Sequence, residues 1–136
     1  MKTFLDSGVL LTAWKGKPAD AAKAMSVMHA PQREFVTGQM VKLELLPKPT
    51  YFKHRDELEF YQLHLDATKA EAALDPAIAE AALTLAKKHG LAAADALNIA
   101  GAIHLGAEEF VTSELPGKPM FRVREIQVTT LHAAAS

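Results

Sequence analysis

Thr3-Phe4-Leu5-Asp6-Ser7-Gly8-Val9-Leu10-Leu11 is the stretch whose reading decides the fold. Three residues suited to a buried strand run into a carboxylate. A small hydroxyl residue and a glycine follow, and the chain turns apolar again. This is the pattern of an open α/β sheet whose first strand delivers one charged side chain to its carboxyl edge, where such sheets bind ligands. It places Asp6 at the mouth of a site.

Further along, strands and helices alternate. Val9–Trp14 reads as a short helix interrupted by Gly16. Pro18 suits a first helical position, because its missing N–H is not needed there, and Ala19–Met28 continues that helix. Glu34–Thr37 is expected as a second strand and Gln39–Leu46 as a helix, with Met40, Leu43 and either Val41 or Leu46 sharing its apolar face and Pro47 and Pro49 ending it. From Phe52 to about Leu74 the pattern is helical, with Leu58, Tyr61 and Leu65 in one stripe widened by Phe60 and Leu63. Asp75-Pro76 opens a helix to His89, closed by Gly90. Leu91–Leu105, rich in alanine, is the next helix, suited to close approach to a sheet. Ala107–Thr112 and Ile126–Leu131 are the last strands, with a short turn or helical piece at Met120–Val123. The alternation implies an α/β fold: a central, mainly parallel sheet of four to five strands with helices on both faces. One domain is expected over residues 1–136, with a frayed tail at about 132–136.

The bulk composition narrows the function. A formal charge of −1 removes any global electrostatic case for nucleic acid, so such a role must rest on a local site. The absence of cysteine excludes disulfides and thiolate-bound zinc. No apolar run is long enough to span a bilayer. The amino terminus enters a strand almost at once, so no signal peptide is expected and a cytoplasmic location is.

Asp6 and Glu114 each follow a predicted strand. Glu44 and Asp95 lie on helices that leave the carboxyl side of strands or pack beside them, and Asp95 falls in a first turn, where the helix dipole favours an ionised carboxylate. Four carboxylates from distant segments are thus expected at one edge. Unpaired, they raise one another's pKa, and an all-oxygen set suits Mg²⁺ or Mn²⁺. Such ions orient water and stabilise phosphoryl charge, the equipment of a nuclease or phosphohydrolase. Each acid also has a plainer reading: Asp6 as a helix cap, Glu44 as a surface helix residue, Asp95 as a dipole partner, Glu114 as loop solvation.

The run Phe4-Leu5-Asp6-Ser7-Gly8-Val9-Leu10-Leu11, then Leu43-Glu44-Leu45, then Ala94-Asp95-Ala96-Leu97-Asn98-Ile99-Ala100, then Gly106 to Glu114, resembles the PIN-domain ribonuclease family. More narrowly it resembles the VapC-like, single-domain toxins of bacterial toxin–antitoxin pairs. The likeness covers nearly the whole chain, with the first and third blocks the most specific. It departs at Gly8, where the family often has Asn, and at Glu114, where it usually has Asp. The resemblance implies Mg²⁺- or Mn²⁺-dependent cleavage of single-stranded RNA, a homodimer, and silencing by a cognate antitoxin. It implies that Asp6, Glu44 and Asp95 hold metal, with Glu114 beside them as a fourth catalytic acid. Ser7 or Thr112 would orient a carboxylate or the phosphate. Lys42, Arg55 and Lys118 are candidate contacts to the RNA backbone, and Lys53 is a further one.

Rival readings are weaker on particular residues. A haloacid-dehalogenase-like phosphatase wants an aspartate two after Asp6, where Gly8 stands. A receiver-like phospho-accepting module wants an acid pair at the first strand and a phosphoacceptor after a middle strand, where Thr37-Gly38 stands. A PIN-fold binding protein without strong catalysis also fits, given Glu114. Six scattered histidines make no zinc motif, and no glycine-rich phosphate loop or nucleophile elbow occurs.

Overall fold

The computed structural model describes residues 1–132; most of the expected frayed tail lies outside them. In chain order it contains β1 (Lys2–Leu5), α1 (Ser7–Lys15), α2 (Pro18–Met28), β2 (Glu34–Gly38), α3 (Gln39–Leu45) and α4 (Pro47–Tyr51). It continues with α5 (Arg55–Ala67), β3 (Glu71–Ala72), α6 (Pro76–His89), α7 (Ala93–His104), β4 (Glu109–Thr112) and β5 (Gln127–Thr130). A 3-10 turn, Pro119–Arg122, precedes the last strand.

The five strands form one sheet in the order β3-β2-β1-β4-β5, and every pairing is parallel. All their carboxyl ends therefore lie on one edge. β1 is central, with Phe4 paired to Val36 on one side and Phe110 on the other. Burial on both faces explains its apolar run: Phe4, Leu5, Val36, Phe110 and Val111 are all inaccessible or nearly so, and the rings of Phe4 and Phe110 stack at 5.5 Å.

Local chemistry sets the helix ends. Asp75 caps α6 by accepting from the Ile78 N–H at 2.9 Å, and Gly90 closes it in the left-handed region at φ 71°. Glycine reaches that region without steric cost. On α7, a Cβ at Gly101 would lie 2.9 Å from the Ala72 Cβ, so the bare backbone lets the helix settle against β3.

Four local expectations are corrected. Pro47 opens α4 instead of ending a helix, because proline is as suited to a first turn as it is unsuited to an interior. The long helix expected from Phe52 to Leu74 is only α5, followed by the two-residue strand β3. On α3 the buried pair is Val41 and Leu45, one turn apart, while Leu43 is exposed. Leu63 likewise faces solvent and not the α5 stripe. Among the described residues, no helix is long and apolar enough to cross a membrane.

Candidate functional site

The strand order brings the predicted acids together. Asp6 follows β1, the central strand. Glu44 lies on α3, which leaves β2 on one side; Glu114 follows β4 on the other. Asp95 sits in the first turn of α7. The first two strand exits and β4 all open on the same edge because the sheet is parallel.

Asp6 is buried and held at both oxygens. Its Oδ1 accepts the Ser7 N–H at 2.8 Å, which makes it the cap of α1. Its Oδ2 accepts the Thr112 hydroxyl at 3.2 Å, and its own N–H donates to the Val111 carbonyl at 2.9 Å. The capping role and the site position are thus one arrangement. Burial, then the charges of Glu44 and Asp95, push the Asp6 carboxyl up to about 7, against the lowering effect of its two hydrogen bonds. Asp95 is also raised, by burial and then by Glu114 and Glu44. The expected dipole stabilisation of its ionised form is therefore outweighed by burial and like charge.

Glu44 is exposed on α3, and its Oε1 accepts from Asn98 Nδ2 at 2.9 Å. Glu114 is exposed beyond β4; its N–H donates to the Thr112 hydroxyl at 3.1 Å, and its carbonyl accepts from the Thr130 hydroxyl at 2.6 Å. Thr112 thus ties the backbone of one acid to the side chain of another. Ser7 meets Asp6 through its backbone N–H.

Asn98 is the residue that sequence reasoning left without a role. It is 2% exposed, and it stands three positions after Asp95 on the same helical face. An amide inside the apolar run Ala96-Leu97-Asn98-Ile99-Ala100 was the available signal, since a buried amide needs partners. Gly8 is explained by its neighbour: a Cβ there would collide with Ser113 Oγ.

The candidate RNA contacts fall in different settings. Lys42 is engaged in an ion pair with Glu71. Arg55 is exposed at the start of α5 and Lys118 in the loop after Glu114.

The donor set matches a divalent cation in charge and in ligand type. Among the described residues, no Lys, Arg or His forms an ion pair with Asp6, Glu44, Asp95 or Glu114. Hydrogen bonds from Ser7, Thr112 and Asn98 offset their mutual repulsion only in part, and all their donors are carboxylate oxygens, the ligand type that hard cations take. The chemistry fits. The side chains are not drawn into a closed shell, for no group of three or more His, Asp or Glu is gathered tightly enough to hold an ion among the described residues.

With this geometry in view, comparison with known proteins is decisive on family. The PIN domain family model matches residues 3–114, and the chain belongs to that family. Among solved structures, it is similar to a chain of VapBC2 from Rickettsia felis, bound to a DNA fragment from its promoter. The identity is 15%, the match covers 96% of this chain and 98% of that one, and the TM-score is 0.71. It is similar to a chain in a toxin–antitoxin complex from Klebsiella pneumoniae, at 17% identity, 97% and 99% coverage and TM-score 0.70. A chain of VapBC-1 from nontypeable Haemophilus influenzae matches at 17% identity, 96% and 98% coverage and TM-score 0.64. No curated protein matches the chain.

Proposed function

We propose that this protein is a VapC-like toxin: an endoribonuclease that hydrolyses phosphodiester bonds of single-stranded RNA with Mg²⁺ or Mn²⁺. The observation that carries this reading is the convergence of four acids, from four separate segments, at the carboxyl edge of a parallel sheet, with no ion-pair partner among the described residues. Asp6, Glu44 and Asp95 would hold the ion, with Glu114 as the fourth acid. When bound, the ion supplies Lewis-acid polarisation of the phosphoryl group and makes water more acidic.

The remaining work falls to this chain's own groups. Thr112 fixes the rotamer of Asp6 through Oδ2, and the start of α1 fixes it through Oδ1. Asn98 holds Glu44 in place through its amide. Glu114, exposed beyond β4, is open to an incoming substrate while its backbone is held by Thr112 and Thr130. Ser7 keeps the role of a donor to the phosphate or a carboxylate, and Lys118, close in sequence to Glu114, that of a backbone contact.

The test is cleavage of a labelled single-stranded RNA in Mg²⁺ or Mn²⁺ buffer, against an EDTA control. Asp6→Asn and Asp95→Asn proteins, shown to be folded, are expected to lose cleavage by at least about a hundredfold. Wild-type rates in both variants would refute the mechanism. The relatives in toxin–antitoxin complexes support an antitoxin partner for this chain; a cytoplasmic setting and a homodimer are further parts of the proposal that rest on the family resemblance alone. A monomer mass by light scattering at micromolar concentration would remove the dimer.

A further inference from the structure

The segment Lys48-Pro49-Thr50-Tyr51-Phe52-Lys53-His54-Arg55 sets two aromatic rings among three permanent cations, with no acid before Asp56. In a chain of net charge −1 this is a local concentration of the kind that global charge conceals. The fold turns the segment into a surface ridge between α3 and α5. Tyr51 is 79% and Phe52 59% exposed. Their rings meet edge to face at 4.9 Å, and His54 stacks on Phe52 at 6.0 Å. Trp14, also exposed, joins Lys53, His54 and Arg55 around a cavity of about 520 Å³ whose far wall is Asp56 and Glu57.

Two details separate this ridge from an ordinary solvated face. Among the described residues, Lys48, Lys53 and Arg55 form no ion pair. The nearest inward acid, Glu57, is taken up by the Tyr61 hydroxyl at 2.6 Å, by Lys15 and by His54 at 3.5 Å, and the exposed acids that follow, Asp56 and Glu59, pair with none of the three cations. Lys53 itself adopts φ 58°, a left-handed conformation uncommon outside glycine. Such strain is retained where the surrounding structure uses it, and here it carries the chain over the ridge.

An exposed aromatic face and a free cation recognise different parts of one ligand. Rings stack on unpaired bases, and cations meet phosphates. A duplex offers only the second. The ridge also connects to the acids: it follows directly on α3, which carries Glu44, and Trp14 ends the helix that Asp6 caps, roughly 12 Å along at 1.5 Å per residue.

We propose that Trp14, Tyr51 and Phe52, with Lys53 and Arg55, form a single-stranded RNA-binding surface that leads substrate to the acidic edge. As a route to that edge, it rests on the ribonuclease reading above; as a binding surface, it is measurable without cleavage. The experiment is fluorescence anisotropy of a labelled oligouridine with wild-type protein in EDTA, compared with Tyr51→Ala/Phe52→Ala and Lys53→Gln/Arg55→Gln proteins. All four side chains are exposed, and matched thermal melts establish that the variants fold.

Loss of the rings is expected to weaken binding by about fivefold or more. Loss of the two cations is expected to reduce the log–log salt slope by about 1.4, at about 0.7 per phosphate contact. Duplex RNA of equal length should bind more weakly than the single strand. Unchanged affinity in both variants, or equal affinity for duplex, overturns the proposal. So does a shift from dimer to monomer in the aromatic variant with RNA affinity intact, which would make the ridge a protein interface. If wild-type protein binds RNA through the ridge but cleaves none in Mn²⁺, the surface stands and the nuclease reading falls.

Discussion

The side-chain amide of Asn98 donates to Glu44 at 2.9 Å, so the helix that presents Asp95 also restrains an acid from a different segment. One element thereby governs two of the four carboxylates. A buried amide is suited to this, since it donates without adding charge to a site already crowded with it. Replacing Asn98 with Ala should leave Glu44 unrestrained and weaken metal affinity or activity by about ten- to a hundredfold, the usual effect of losing a residue that orients a ligand. Mn²⁺ titration by calorimetry, alongside RNA cleavage, tests this. Unchanged Mn²⁺ affinity would show that the Asn98–Glu44 bond serves packing alone.

Asp6 predicts a conflict between stability and function. Its carboxyl is pushed up to about 7 by burial and by Glu44 and Asp95, whereas in the unfolded chain it titrates near 3.8. Between those values the folded state holds the extra proton, so metal-free protein should lose stability as pH rises from about 4 to 7. Asp6→Asn removes that slope. In EDTA the variant should melt higher than wild type at pH 8, and the gap should close towards pH 4. Added Mg²⁺ should raise the melting temperature of wild type and leave the variant unmoved. A variant that melts lower than wild type at pH 8 in EDTA would contradict this account.

His64 works in the opposite direction. It lies edge-on to Phe35 at 5.3 Å, in a recess it shares with Met25, Met28 and His29. Burial lowers its pKa to about 4. The unfolded chain therefore takes up a proton near 6.5 that the folded state refuses. The stability His64 contributes is present above pH 6.5 and lost as pH falls towards 4. In the Asp6→Asn background, where the opposing slope is gone, His64→Leu should flatten stability across that window. Equal acid sensitivity of the two proteins, by urea unfolding, would assign the loss to other groups.

A further acid, outside the candidate site, is structural. Glu109 is 3% exposed and accepts from Arg33 at 2.7 Å, Thr3 at 2.9 Å and Thr129 at 3.4 Å. Burial works to raise its pKa, but the bonds from Arg33 and Thr3 outweigh it and hold the carboxyl low. Its contribution is thus present above the ordinary glutamate range and lost as pH falls through the folded value. Arg33→Met should cost about 3–5 kcal/mol by stranding the carboxylate, and adding Glu109→Gln should recover much of it. Urea midpoints at neutral pH measure both. A single-variant cost under about 1 kcal/mol would mean that the carboxylate finds another partner.

The parallel sheet and the acid positions were legible because both depend on patterns several residues long. Asp6 and Glu114 each follow a strand that is buried on both faces, and Asp75-Pro76 and Gly90 punctuate α6 as they should. What escaped was shorter than any period or ambiguous in kind. β3 is two residues, Glu71 and Ala72, and no alternation can be read from two. Pro47 satisfies the rule for ending a helix and the rule for starting one, and only the tertiary path selects between them. Asn98 was hidden by its apolar neighbours, although burial of an amide among them was the clue. The opposing fields on Asp95, dipole against like charge, are a matter of distance, which a linear string does not hold.

The contact between Gly8 and Ser113 bears on how position 8 can be tested. The two positions, over a hundred residues apart, meet so closely that a Cβ on Gly8 would displace the Ser113 hydroxyl from its present rotamer. An Asn placed at position 8 meets the Ser113 hydroxyl, which must turn away or be removed to admit it. Grafting it alone confounds a chemical comparison with a steric one; the informative exchange is Gly8→Asn together with Ser113→Gly.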